Sequence, residues 1–311
     1  MGKLAYICIS EKKGTPKRGV EEAVLTEDWG IEEDAHSGNW HRQVSLLPAE
    51  RIREFNSRGA GVEAGAFGEN LIVEGLDLKD LPVGTQLQIG EAVLEITQIG
   101  KECHDHCRIW QTMGDCIMPR EGVFARVMTG GTIKKGDEII MSTPKKDRPY
   151  TAAVVTLSDK GAAGEREDKS GPVIVQMLKE ASYEVLETSL LPDEQETLEH
   201  ELIRLADQRQ PDVILTTGGT GFSERDITPE ATVAVCDRMA NGIAEAIRAY
   251  SMEITPRAMF SRAVSGIRGK SLIINLPGSP KAVEEALTFL LPNLDHGIDI
   301  LRGSAHDCAR S

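Results

Sequence analysis

The chain has 311 residues, 40% of them hydrophobic and 27% charged, with a formal net charge of −14 at pH 7. That is long enough for two ordinary cores and carries none of the bias that marks disorder. The acidic excess is spread over both halves (18 basic and 24 acidic side chains in residues 1–147, 17 and 25 in residues 148–311), so neither offers the basic field that nucleic acid or an anionic membrane requires.

At the amino end, Met1-Gly2-Lys3-Leu4 lacks the apolar core and cleavage site of a secretory leader, and no apolar run approaches the roughly 18 residues of a membrane span. The expected location is the cytoplasm, where the six cysteines (Cys8, Cys103, Cys107, Cys116, Cys236, Cys308) are expected as free thiols. Residues 6–10, 44–47, 71–73, 87–89, 93–96, 124–128 and 138–141 are short apolar or alternating runs separated by Gly, Pro, Asn and Asp. A helical period intervenes over residues 48–58. Many short strands with turn signals between them predict a mostly-β barrel or sandwich. Cys103, Cys107 and Cys116 crowd into fourteen residues with His104 and His106. Their spacing is not a standard structural-zinc pattern, and Lys101 and His104 beside Cys103 favour a reactive thiolate there.

Three strings in this half, His41-Arg42-Gln43-Val44-Ser45-Leu46-Leu47, Gly65-Ala66-Phe67-Gly68-Glu69-Asn70-Leu71 and Gly100-Lys101-Glu102-Cys103-His104, resemble the MOSC domain, named for the C-terminal part of molybdenum cofactor sulfurases. The resemblance covers residues 1–142. It implies that Cys103 carries sulfur as a persulfide or ligates molybdenum, which soft thiolate suits. It also implies that the domain handles the molybdenum cofactor, with Arg42 and Lys101 as candidate pterin contacts. Arg42 can equally pair with a carboxylate, and Glu69 and Asn70 can equally fix a loop.

Residues 143–149, polar with two prolines, read as a linker to a second domain over residues 150–311. There the runs at 152–157, 212–217 and 272–276, rich in Val, Ile and Thr, read as buried strands. Helices alternate with them. One opens at Ser170-Gly171-Pro172 with Ser170 as its expected N-cap, and a second spans residues 194–209 with Leu198, Leu202 and Leu205 at helical spacing. This alternation predicts an α/β three-layer sandwich on a mainly parallel sheet, whose ligands bind beyond the carboxyl ends of the strands. Ser158-Asp159, Asp193 and the turn Gly218-Gly219-Thr220-Gly221 all lie at such ends. The turn runs into a charged loop and then Thr228-Pro229-Glu230, a helix start, which is the layout of an anion site. Asp226 beside it repels a bare phosphate and attracts one carried with Mg²⁺.

The string from Thr216 through Gly221, with Arg225-Asp226 and Thr228-Pro229-Glu230, resembles the signature of the molybdopterin adenylyltransferase family, which activates molybdopterin before metal insertion. Ser158-Asp159, Leu191-Pro192-Asp193-Glu194 and Asn275-Leu276-Pro277-Gly278-Ser279-Pro280 match in family order, from about residue 150 to 300. The resemblance implies that Asp193 and Asp226 handle Mg²⁺ and ATP. Ser158, Asp159, Gly164, Asp168, Ser170 and Gly171 then form a loop that closes over the ligand. The turn Pro277-Gly278-Ser279, with Lys281 in the next helix and Ser279 as its cap, makes a second phosphate or pterin contact. Thr228 and the segment Ser261-Arg262 complete the candidate set. Asp193 can also be read as a helix cap, and Asp226 as an Asx-turn residue.

Together these readings predict a fusion of two steps of molybdenum cofactor supply, with molybdopterin and ATP as substrates. A molybdenum-insertion enzyme and acceptor molybdoenzymes are the expected partners, and the resemblance implies a homotrimer through the second domain. Two alternatives stay open. One is a non-catalytic cofactor chaperone, and the other is a MOSC-based molybdenum-dependent reductase of N-hydroxylated compounds. A competence-damage type protein fits less well, since the chain leaves no room for an additional amidase domain.

Overall fold

A computed structural model describes residues 2–103, 107–145 and 147–304, and the chain divides into two compact units, Met1–Lys145 and Lys146–Ser311. His104, His106 and Cys308 lie outside the described residues.

The strands described in the first unit are β1 (Gly2–Ile9), β2 (Arg18–Val20), β3 (Glu22–Thr26), β4 (Gly30–Ile31), β5 (Val44–Pro48), β6 (Leu71–Glu74), β7 (Gln86–Ile89), β8 (Ala92–Ile99), β9 (Val123–Thr129), β10 (Gly131–Lys134) and β11 (Glu138–Ser142). Seven of them close a barrel in the order β1-β6-β5-β9-β8-β7-β11, with β11 pairing back onto β1. Closure removes the exposed edges that an open sheet would leave. Only β5 and β6 run parallel in this ring, and helix α1 (Ala49–Ser57) supplies the crossover that a parallel pair needs. The two-residue period of a strand sorts the side chains. Leu46, Leu71, Val73, Val123 and Ala125 fill the barrel, whereas Leu47, Ile72 and Phe124 face outward to meet Ile52 and Phe55 of α1. Two short helices follow β8, α2 (Arg108–Met113) and α3 (Met118–Glu121).

The second unit is a six-stranded sheet with helices on both faces. Its strands are β12 (Thr151–Leu157), β13 (Glu184–Leu191), β14 (Val213–Thr217), β15 (Arg238–Met239), β16 (Ser265–Arg268) and β17 (Ser271–Leu276), ordered β13-β12-β14-β17-β16-β15. The first four are parallel and the last two pair antiparallel. Its helices are α4 (Asp159–Ala162), α5 (Ser170–Glu180), α6 (Gln195–Arg204), α7 (Thr228–Val235), α8 (Gly242–Ile254) and α9 (Pro280–Arg302). Ile174 and Leu178 of α5, Ile247 of α8 and the Val283, Leu287, Leu290 stripe of α9 cover one face, against Val154, Leu215 and Ile274. Leu198 and Leu202 of α6 and Ala231 and Val235 of α7 cover the other, against Val155, Ile214 and Ile273. No helix among the described residues is long and apolar enough to cross a membrane.

Three local expectations are corrected. The helix expected over residues 194–209 ends as α-helix at Arg204 and finishes in a wider turn, Leu205–Arg209, before Gln210 at φ 50°. Ser170 does not cap α5: its hydroxyl donates to the Gly278 carbonyl at 3.0 Å, and Asp168 Oδ1 accepts the Ser170 and Gly171 N–H groups at 3.0 and 3.1 Å. An edge strand, β13, lies where no strand is predicted. Its exposed positions are Glu184, Thr188 and Leu190, so it lacks the continuous apolar run of a central strand.

Candidate active site

β12 is flanked by β13 on one side and β14 on the other, so the strand order reverses between β12 and β14. This is where ligands settle in an open α/β sheet. Beyond the carboxyl ends of the four parallel strands lie Ser158-Asp159, Asp193, the glycine turn and Pro277-Gly278-Ser279.

Close approach of backbone dictates the glycines. Gly218 has φ +98°, and a Cβ there would lie 2.4 Å from the Leu157 carbonyl oxygen; Gly219 has φ +61°, and its Cβ would lie 2.6 Å from Thr228 Oγ1. Side chains are excluded on both counts. Thr228 stitches the turn to the amino end of α7, donating from Oγ1 to the Gly218 carbonyl at 2.9 Å and from its N–H to the Gly219 carbonyl at 3.1 Å. The Thr217 hydroxyl donates to the Pro277 carbonyl at 2.6 Å, and a Cβ on Gly278 would stand 3.3 Å from Gly218 Cα. The turns after β14 and β17 are thus one packed surface.

Asp193 and Asp226 border this turn. Asp193 Oδ1 lies 3.4 Å from the Cβ position of Gly219, and Asp226 Oδ2 lies 2.9 Å from that of Gly221. Asp159 and Asp193 hold each other: Asp193 Oδ2 accepts the Asp159 N–H and Asp159 Oδ1 accepts the Asp193 N–H, both at 2.9 Å. Arg225 adds a two-pronged ion pair to Asp159, Nε to Oδ2 at 3.0 Å and Nη2 to Oδ1 at 2.6 Å. Burial pushes the Asp193 carboxyl above its ordinary range; the negative charges of Asp159 and Asp226 add to this, against the Asp159 N–H and Arg225. The Arg225 pair, with the Asp193 N–H, holds Asp159 below it. Asp226 Oδ2 accepts the Ser223 N–H at 2.9 Å, which closes its loop.

Asp193 Oδ1 and Asp226 Oδ1 accept no hydrogen bond from the described residues. No set of three or more His, Cys, Asp or Glu side chains among those residues could hold a metal ion by itself. Two hard carboxylates suit Mg²⁺, which draws the rest of its shell from water and substrate phosphates. A carboxyl raised by like charge is also one that a cation relieves.

The other expected residues divide between the site and its frame. Ser158 caps α4 by accepting the Gly161 N–H at 3.0 Å and also accepts from Arg166 at 3.0 Å. Asp168 is a bracket, binding the Thr156 hydroxyl at 2.8 Å besides the α5 N–H groups; a Cβ on Gly171 would meet it at 2.4 Å. Gly164 stands in open space at φ +74°. Ser279 caps α9 through the Ala282 N–H at 3.3 Å, and Lys281 projects into solvent, 3.8 Å from Glu285. Arg262 donates from Nε to the Gly221 carbonyl at 2.6 Å, from Nη2 to the Asp226 carbonyl and from Nη1 to Glu230, while its N–H binds the Thr220 carbonyl at 2.9 Å. It clamps the glycine turn to the Asp226 loop. The Ser261 carbonyl is held by Arg248 at 2.9 Å. A groove of about 530 Å³, lined by Phe222, Asp226, Ile227, Glu230 and Arg262 among others, runs along this loop.

In the first unit Cys103 and Cys107 are exposed and Cys116 is buried. Burial raises the Cys116 thiol, with added repulsion from Cys107 and Cys103, against a hydrogen bond from the Met118 main chain and the charge of Lys101. Arg42 is stacked on Trp40 and Phe124, its guanidinium carbon 4.9 and 5.6 Å from the ring centres. Glu69 fixes its loop by accepting the Gly65 and Phe67 N–H groups at 2.8 and 3.0 Å, and Asn70 ties β6 to β5 and β1 through Ser45 and the Cys8 carbonyl. The sequence reading missed a buried pair, Lys17 Nζ to Asp34 Oδ2 at 2.5 Å, with His36 beside it. Burial alone would raise Asp34, but hydrogen bonds from His36 and Lys17 prevail and hold it well below its usual range. Burial depresses Lys17 despite Asp34. A polar cluster drawn from two separate loops gives no periodicity that would mark it.

Comparison with known proteins matches residues 153–296 to a family described as "Probable molybdopterin binding domain" and residues 33–140 to the MOSC domain. A molybdopterin adenylyltransferase of Helicobacter pylori is 42% identical over 153 residues, covering 49% of this chain and 87% of the relative. Those of Haemophilus influenzae and Escherichia coli are 45% and 44% identical, covering 43% of this chain and 69% and 70% of their own lengths. With its glycine turn, acidic pair and sheet order in place, the chain belongs through its second unit to the molybdopterin adenylyltransferase family, joined to a MOSC domain in the first.

Proposed function

We propose that the second unit adenylylates molybdopterin with Mg²⁺ and ATP, and that the MOSC domain binds, carries or sulfurates the resulting cofactor through Cys103. One observation carries the first part: Asp193 and Asp226 border one glycine turn at the sheet's switch point, each with an oxygen left uncommitted. In this reaction an oxygen of the pterin's terminal phosphate forms a bond to the α-phosphorus of ATP, and the bond to the β-phosphate oxygen breaks, releasing pyrophosphate. Two anions must meet, so the protein mainly positions and screens. Backbone N–H groups of the glycine turn and the α7 terminus receive phosphate oxygens. Asp193 and Asp226 would hold Mg²⁺, which when bound neutralises charge on the leaving pyrophosphate. Asp159 keeps Asp193 oriented, and the Pro277-Gly278-Ser279 turn, packed against the glycine turn, offers the contact for the second phosphate or the pterin.

The exposed Cys103 thiol supports the carrier role of the first unit, and Arg42 and Lys101 are its candidate pterin contacts. A molybdenum-insertion enzyme would take the adenylylated product. Assembly as a homotrimer through the second unit follows from the family resemblance, and light scattering reads it directly. The activity test is pyrophosphate release from purified protein with molybdopterin, ATP and Mg²⁺. Wild type should release one pyrophosphate per product formed, and Asp226→Ala should not. Equal release from both, or none from wild type, rejects the reading.

A further inference from the structure

We propose that Arg225 is a transferable counterion, parked on Asp159 until a polyphosphate enters and then handed to its phosphate oxygens. The inference rests on the nucleotide reading above and adds a phosphate-binding residue to that site.

The cations around the glycine turn are not equally available. Arg262 spends its donors on the Gly221 and Asp226 carbonyls and Glu230, so it cannot leave without loosening the turn. Lys281 is 85% exposed and leans toward Glu285. Arg166 donates to Ser158 Oγ. Arg225 is held by one carboxylate, and the pair is open to water, with side-chain exposures of 58% for Arg225 and 45% for Asp159. Exposed pairs of this kind are weak, so exchanging the partner costs little.

The planar guanidinium presents the same two-pronged fork to a carboxylate and to a phosphate. A polyphosphate carries more charge than Asp159 and wins the exchange. The main chain of Arg225 is meanwhile anchored by its N–H to Ser223 Oγ at 3.2 Å, and the next residue, Asp226, borders the glycine turn. Only the side chain has to move. When it leaves, Asp159 still accepts the Asp193 N–H, so the metal-side carboxylate stays aimed. Without an arginine to receive them, the phosphate oxygens would meet Asp193 and Asp226 with no side-chain cation beside them.

The test is calorimetric titration of the full-length protein with ATP and Mg²⁺, comparing wild type with Arg225→Ala, Arg225→Lys and Asp159→Asn, each first checked for an unchanged melting curve. Losing two charge-assisted bonds should weaken ATP about tenfold or more in Arg225→Ala, with partial recovery in Arg225→Lys. Asp159→Asn keeps an oxygen for the Asp193 N–H but no longer competes for the guanidinium, so it should bind ATP as tightly as wild type or several-fold tighter. A mere brace predicts the opposite, with Asp159→Asn and Arg225→Ala equally weakened, and that result overturns the proposal. So does ATP binding in Arg225→Ala that equals wild type. If wild type binds neither ATP nor pyrophosphate, the nucleotide reading falls and this inference with it.

Discussion

Asp193 is costly for the fold, and in the proposed reaction the same carboxylate serves the metal. Its carboxyl is raised chiefly by burial, then by Asp159 and Asp226. A carboxyl whose folded pKa exceeds its unfolded value supports the fold while protonated and loses that support as pH rises through the folded value. At neutral pH the ionised Asp193 is therefore a liability. Asp193→Asn should raise stability at pH 7 by about 0.5 kcal/mol, a small figure because the group is partly exposed and screened. The gain should shrink as pH falls and the wild-type carboxyl takes up its proton. The same substitution removes a metal-side charge and should lower the rate of adenylyl transfer about 100-fold. Thermal melts across pH, set beside single-turnover rates, check both signs; a less stable Asp193→Asn at pH 7 contradicts the electrostatic account.

Elements reach the site through their carboxyl ends and are locked at their amino ends. Asp212, just before β14, is buried and accepts from Arg302 at the end of α9, from Arg148 and from the Thr151 hydroxyl that opens β12. Burial opposes its ionisation, but Arg302 and Arg148 prevail and hold it below its ordinary range. Arg302→Ala leaves that charge under-compensated and should cost about 3 kcal/mol, read as a lower urea midpoint at constant slope, with the KM for ATP unchanged. A shifted KM would mean that the two ends of the sheet are coupled. The sequence made β12, β14 and β17 legible because central parallel strands are buried on both faces and read as apolar runs. It made the glycine turn legible because backbone approach leaves no alternative residue. It hid β13, an edge strand with a partly solvated face, β3, β10 and β16, each four or five residues long, and β2, β4 and β15, of two or three. Asp159 and Asp193 each appear in the sequence as separate turn residues; their mutual hydrogen bonds depend on strand order, which no local pattern encodes. Arg262 read as a ligand contact because an arginine's acceptors, here carbonyls 36 and 41 residues away, are invisible along the chain.

At the scale of the whole molecule, a chain of net charge −14 is proposed to handle two anionic substrates. The attraction must then be local, supplied by the glycine turn, helix termini, a divalent ion and Arg225, since fields from distant exposed charges are screened within about 8 Å at physiological salt. Under the proposed function, joining the two units would serve the same end for the product. β11 ends at Ser142, and the chain is fixed again where Arg302 holds the Arg148 and Pro149 carbonyls at 2.9 Å, so the connection is short. A short tether places one site at an effective concentration of about a millimolar with respect to what the other releases, without any new contact. The advantage depends on dilution. At about micromolar protein the fused chain should deliver cofactor to an acceptor molybdoenzyme well over tenfold faster than an equimolar mixture of the separate units, each of which has its own closed core. Near millimolar protein the two rates should converge. Delivery followed over that concentration range, by activation of the acceptor, decides the matter: equal rates at the dilute end would leave the fusion without a kinetic purpose.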